Sequence, residues 1–94
     1  MAPDIIVIAW YRREDYGRIF ALAEGGGGME PTFEEWEKFV EAVMPDIVAR
    51  GVPVKKVIID PREFAAWLRK EKRESTPESR ALFAHSIASK QAIN

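Results

Sequence analysis

The stretch DIIVIAWY, Asp4 to Tyr11, decides the fold that the sequence predicts. It is a continuous apolar run, rich in β-branched residues and too short for a buried helix. We therefore predict a strand from Ile5 to Trp10. Because successive side chains of a strand point to opposite faces, apolar residues at every position indicate that both faces are covered.

A second strand is predicted at Val54–Ile59, with Val57 and Ile59 on one face. Lys55 and Lys56 within it are typical of a protected sheet edge. Whether the two strands run parallel or antiparallel stays open. Counting one reversal of the chain for each of two intervening helices favours antiparallel strands.

Helical spacing of apolar residues predicts four helices, two after each strand. Gly25 is predicted to end the first helix. The second helix is capped by Thr32 and Glu35, is kinked or ended by Pro45, and is closed by Gly51. Asp60 with Pro61 and Glu63 starts the third helix, and Thr76 with Pro77 starts the fourth. The fourth is expected to bury Leu82, Phe83 and Ile87. The order is β-α-α-β-α-α, a single α/β domain (α+β, two-layer) over residues 1–94.

Two strands alone form a marginal sheet, and both of them are edges. The first strand nevertheless has the composition of an interior strand. We therefore expect it to pair with its own copy across a two-fold axis, which gives a four-stranded sheet. The expected interface residues are Ile5, Val7 and Ala9. Two-fold symmetry makes the central pair antiparallel.

Composition narrows the class of protein. The chain has 94 residues, of which 47% are hydrophobic and 31% charged, no cysteine and a net charge of −1. These values predict a cytoplasmic globular protein without disulfides or a membrane span. The basic segment RKEKRE, Arg69 to Glu74, is interrupted by acids and closes a helix, so nucleic-acid binding is disfavoured.

Four consecutive glycines, Gly25–Gly28, could suggest a loop that binds phosphate. Such loops follow a strand, whereas these glycines follow a predicted helix and are flanked by Glu24 and Glu30. A mobile connector is the favoured interpretation.

The residues that follow each strand are the candidate ligand site. Parallel strands would bring their carboxyl ends together, as in open α/β sheets that bind ligands there. An anion could then contact the polar side chains of Tyr11, Arg12, Arg13, Asp60 and Arg62. The same residues can be explained without a ligand, Asp60 as a helix cap and the arginines as a solvated helix start.

Catalytic and metal chemistry have little support in the sequence. His85 is the only histidine and has no neighbouring ligands at metal-binding spacing. No serine lies in a nucleophile motif. We expect no metal and no cofactor, and an enzyme is the weaker class.

The segments IAWYRREDY, PTFEEWEKF and VKKVIIDPREFAAWLR resemble a group of small bacterial proteins of unknown function. The resemblance covers residues 5–70 approximately and implies a bacterial cytosolic protein. It carries over no catalytic residue or ligand.

Two functional hypotheses follow. The first is a non-catalytic interaction or regulatory module that acts as a homodimer, with another protein as a further partner. The alternative is a protein or enzyme that binds a small anion, such as a phosphorylated metabolite, at the strand ends.

Overall fold

The computed structural model describes residues 5–92. In that part of the chain the elements are β1 (Ile6–Trp10), α1 (Arg13–Phe20), α2 (Phe33–Ala49), β2 (Val54–Ile58), α3 (Pro61–Glu71) and α4 (Pro77–Ala92), with a 3-10 segment at Glu24–Gly28 between α1 and α2. The predicted order β-α-α-β-α-α and the α+β class are confirmed.

The two strands are parallel. Their register runs from Ile6 beside Val54 to Trp10 beside Ile58. Counting one reversal per helix was wrong because α1 does not carry the chain along the sheet. The chain leaves the carboxyl end of β1 and returns to it, so that the Tyr16 hydroxyl donates a 2.7 Å hydrogen bond to the Glu30 carbonyl. Only α2 then makes the return that a parallel pair requires.

The core forms where the helices meet the sheet. Phe83 and Ala84 of α4 lie in one buried cluster with Val57 and Ile59. Near the other face, Trp36 of α2 meets the Trp10 ring edge-on, with 5.0 Å between ring centroids. The buried apolar side chains are Tyr11, Tyr16, Ile19, Trp36, Val40, Val57, Ile59, Phe64, Leu68, Phe83 and Ala84.

The apolar face of α4 differs in part from the one predicted. Phe83 is buried and Ile87 packs against the core, but the prediction for Leu82 was wrong, since this side chain is 43% exposed. Positions 83, 84, 87 and 88 form the buried stripe at helical spacing. Leu82 lies outside that stripe.

Most predicted helix ends are confirmed. Thr32 Oγ1 accepts from the Glu35 amide at 3.1 Å, and Asp60 accepts from the amides of Arg62 and Glu63 at 2.9 and 3.0 Å. One prediction about helix ends was wrong, since α1 ends at Phe20 rather than at Gly25. α2 continues past Pro45 to Ala49, so Pro45 does not end it, and Gly51, with φ of 75°, follows its last turn as predicted.

The glycine run lies between α1 and α2, as the sequence predicts for a connector, and its backbone is left-handed throughout. Gly25–Gly28 all have positive φ, between 58° and 87°. A Cβ on Gly26 would collide with the Phe20 ring, and one on Gly27 would collide with the Ser75 carbonyl oxygen. Glycine is therefore required here both for the left-handed backbone and for close approach to α1 and to the start of α4.

Candidate functional site

One edge of β1 is left without a strand partner in the described structure. Ile6 donates its amide to Pro53, and Trp10 accepts from the Ile59 amide. Since alternate residues of a parallel strand bond to the same neighbour, the backbone groups of Val7 and Ala9 point away from β2. These are two donors and two acceptors on the open edge.

This open edge lies in an apolar groove of about 520 Å³, the β1 groove. One wall is α2, and the other is the first turns of α4. Met29 and Gly28 lie at the end near Tyr11. The side chains that α2 and α4 contribute are Trp36, Phe39, Val40, Val43, Met44, Ile47, Pro77, Arg80 and Ala81.

The α2 wall includes an exposed aromatic side chain. Phe39 is 52% exposed although it lines the groove. Val48, on the same helix, is 62% exposed but does not line it. A single exposed apolar residue is ordinary, whereas one beside an apolar groove and an open strand edge is typical of an interaction surface.

The side chains predicted for the dimer interface lie on the face that α4 covers. Val7 and Ala9 pack partly against the core, while Ile5 is 53% exposed. The groups available to a second strand are therefore mainly the backbone amides and carbonyls of Val7 and Ala9. A large or charged side chain at Val7 or Ala9 would be a poor test of that contact, because it would disturb the core as well.

The five residues predicted for an anion site lie near the carboxyl ends of the parallel strands. Tyr11 is buried, and Asp60 already accepts two amides as the cap of α3. The Arg12 guanidinium lies 4.0 Å from the Asp15 carboxylate. Arg62 contributes its backbone amide to the cap, and its side chain is exposed.

Arg13 is engaged on the protein surface. It pairs with Glu34 of α2, and its guanidinium carbon lies 4.6 Å from the centre of the Phe33 ring. Backbone hydrogen bonding and the Arg13 side chain lower the pKa of Glu34. The strand ends thus meet, but four of the five residues already have internal roles there.

Sequence reasoning missed Arg80, which is the buried cation of the groove. It lies in the first turn of α4, is only 5% exposed and donates to Ser75 Oγ at 3.3 Å. Burial raises the pKa of Tyr11, and the neighbouring Arg80 acts against that rise. The TPESR segment carried no sign of this beyond its helix start, because burial of one basic residue depends on the tertiary fold.

Other kinds of site have no support in the described residues. His85 is exposed, and no three histidine, aspartate or glutamate side chains in residues 5–90 come together as a metal site would require. Of the helices that the structure describes, none has the length and hydropathy to span a bilayer. No family model, curated protein or solved structure matches this chain. The resemblance to small bacterial proteins stays a prediction.

Proposed function

We propose that this protein is a non-catalytic interaction module that forms a homodimer by adding β1 to its own copy. The observation that supports this most strongly is the open β1 edge within an apolar groove. Strand addition is a common mode of recognition, in which backbone hydrogen bonds supply affinity and the neighbouring pockets supply specificity.

The outward groups of β1 suit a two-fold axis. Val7 and Ala9 are symmetric about Ile8, so an antiparallel pair centred on Ile8 places Val7 of one copy opposite Ala9 of the other. All four outward backbone groups of each copy then make hydrogen bonds. The product is a four-stranded sheet in which both β1 strands are central.

The charge on β2 explains why assembly would stop at two copies. Lys55 and Lys56 are both exposed on the outer strand. Lysines on an edge strand oppose further strand addition, because their charges repel and a new strand would desolvate them. The proposed dimer therefore closes with two protected edges.

Light scattering across low-micromolar concentrations tests the proposal. Wild type should be a dimer, and Phe39→Glu should be a monomer because it places a charge in the wall of the β1 groove. Val48→Glu is the matched control, since it adds the same charge to an exposed position of α2 outside the groove. Circular dichroism should show equal helix content in all three proteins.

Two results would contradict the dimer. One is a wild-type protein that stays monomeric across the whole concentration range. The other is a dimer that Phe39→Glu leaves intact in a correctly folded protein. Loss of the dimer in Val48→Glu would instead move the interface to the other side of α2.

The alternative function, anion binding at the strand ends, is favoured by one observation, the parallel strands. A thermal-shift screen with phosphorylated metabolites tests it. Stabilisation that disappears in Arg12→Ala would support that site. A wild-type protein that no member of the panel stabilises would contradict it.

A further inference from the structure

Arg80 is a buried cation with only neutral groups recorded as close partners. Among the side chains that the structure describes, no carboxylate oxygen lies within 4.0 Å of its guanidinium, and its hydrogen-bond partners include the Ser75 hydroxyl and the Tyr11 side chain. Removing a charge from water is costly unless an opposite charge and hydrogen bonds replace the solvent. The guanidinium therefore has neutral hydrogen-bond partners but, within the described residues, no adjacent opposite charge, which an anionic ligand would supply.

The surroundings of Arg80 are polar and closely packed. Ser75 and Ser79 are both buried, and Arg73 donates to Ser79 Oγ at 3.1 Å. On the connector side, a Cβ on Gly28 would lie 3.7 Å from Arg80 Nη2. The same Cβ would lie 3.0 Å from Pro77 Cγ, so a glycine at this position lets the connector approach the start of α4 beside the guanidinium.

The rest of the β1 groove is apolar. Phe39, Val43 and Ile47 line it on α2, and Met29 lies at the connector. Glu30 also lines the groove without reaching ion-pair distance of Arg80. One buried cation in a mainly apolar groove of about 520 Å³ matches a ligand with one negative group, placed at Arg80 and away from Glu30, and an apolar body.

We propose that the β1 groove binds an amphipathic carboxylate, whose two oxygens accept from Arg80 and whose hydrocarbon body lies between α2 and α4. A guanidinium suits this role because its planar array of donors matches a carboxylate in a two-point contact. The apolar wall supplies the remaining binding energy through burial of the hydrocarbon chain.

Binding of the carboxylate would also regulate dimer formation, an inference that rests on the proposed function. The hydrocarbon body would occupy the space beside Val7 and Ala9 that the second copy's strand needs. Ligand and second copy then compete, and each must lower the affinity of the other by the same factor. A carboxylate of this kind would shift the protein toward monomer.

The test uses decanoate below its micellar concentration, with decyltrimethylammonium as the probe of opposite charge. Trp36 lines the groove, so tryptophan fluorescence reports binding directly, and light scattering reports mass. Decanoate should bind wild type and Val48→Glu equally. Its dissociation constant should rise at least about 10-fold in Arg80→Gln, which loses the charged hydrogen bonds. Phe39→Glu should weaken it through repulsion.

Equal affinity for decanoate and decyltrimethylammonium in wild type would overturn the site, as would equal decanoate affinity in wild type and a folded Arg80→Gln. If Arg80→Gln does not fold, the two probes on wild type and on Phe39→Glu still decide the question. A monomeric wild type that binds decanoate through Arg80 would refute the dimer and keep the site. A dimer that does not bind decanoate would refute the site alone.

Discussion

The two outer edges of the sheet differ in what surrounds them. β2 itself carries Lys55 and Lys56, both exposed. The Lys56 Nζ lies 4.3 Å from the centre of the Trp10 ring on β1. Beside β1 lie the apolar walls of α2 and α4. In the described residues each edge has unpaired backbone groups, so the proposed preference for the β1 edge rests on the neighbouring side chains and not on the strand's own hydrogen bonds.

The largest expected effect is a loss of stability when the glycine connector at the end of the β1 groove is substituted. In Gly27→Ala the new Cβ would collide with the Ser75 carbonyl, at a backbone angle of φ 58°. Overpacking and the left-handed backbone together should cost about 3 kcal/mol of unfolding free energy. Urea denaturation followed by circular dichroism measures it.

Gly25→Ala is the matched control for that loop. Gly25 has a similar φ of 71°, but nothing lies within 4 Å of an added Cβ. Only the cost of a left-handed backbone for alanine applies, so the unfolding free energy should fall by about 1 kcal/mol. Equal losses in the two variants would show that the connector does not pack against α4.

Proline on each edge compares the two strands directly. Ala9 and Lys56 both point their amides outward, so proline at either position preserves the hydrogen bonds between β1 and β2. Ala9→Pro removes one donor from each copy and adds a ring beside it. Circular dichroism first checks that this variant keeps its fold, because Ala9 packs partly against the core. The dissociation constant of the dimer should rise roughly 100-fold, from about 1 kcal/mol per lost bond plus the steric conflict.

Lys56→Pro should leave the proposed dimer intact, because the proposal adds no strand to the outer edge of β2. Analytical ultracentrifugation of both variants checks the pair. If Lys56→Pro disrupts the dimer and Ala9→Pro does not, the second copy binds the opposite edge of the sheet.

Alkaline pH tests the packing beneath the groove. Burial, followed by the charge of Glu30, raises the pKa of Tyr16 from 10.0 to about 12. The neutral phenol is thus favoured in the folded state, and its stabilisation is complete below pH 10 and lost as the pH rises through 12. Urea midpoints measured from pH 8 to pH 12 should fall over that interval.

Tyr16→Phe should be less stable than wild type at pH 8 by about 1 kcal/mol, because the Glu30 carbonyl loses its 2.7 Å hydrogen bond. It should then lose less stability than wild type between pH 10 and pH 12. Parallel pH curves for the two proteins would mean that the pKa of Tyr16 is the same in the folded and unfolded states.

The smallest effect concerns the strand ends. Asp60→Ala should cost about 1 kcal/mol, because two amides of α3 lose their cap, while Asp60→Asn should retain most of the stability. Thermal melting of both variants measures the difference. Equal losses in Asp60→Ala and Asp60→Asn would show that the negative charge, rather than the cap, is what matters.

Local signals predicted most of the secondary structure. Thr32 and Asp60 mark helix starts because their side chains accept hydrogen bonds from amides two or three residues away. Such short-range signals are visible in the sequence alone. The end of α1 was not predictable in this way. Gly25 has the left-handed conformation expected of a helix terminator, but α1 already ends at Phe20. Gly25 instead begins the glycine run, in which Gly26 and Gly27 approach Phe20 and Ser75 closely.

The candidate site depended on long-range contacts and was therefore predicted only in part. The open edge of an apolar strand was foreseeable from DIIVIAWY, since its composition conflicts with a two-stranded sheet. The burial of Arg80 was not, because it follows from the placement of the connector and α4 around Tyr11.

The sequence by itself determined the class of the fold, the order of its elements and the apolar character of β1, because capping and periodicity act over a few residues. Only the tertiary structure decided that the strands are parallel, that the glycines are packed and that Arg80 lies buried in the β1 groove. These features depend on where α1 returns and how α4 lies across the sheet, and contacts between distant residues fix both.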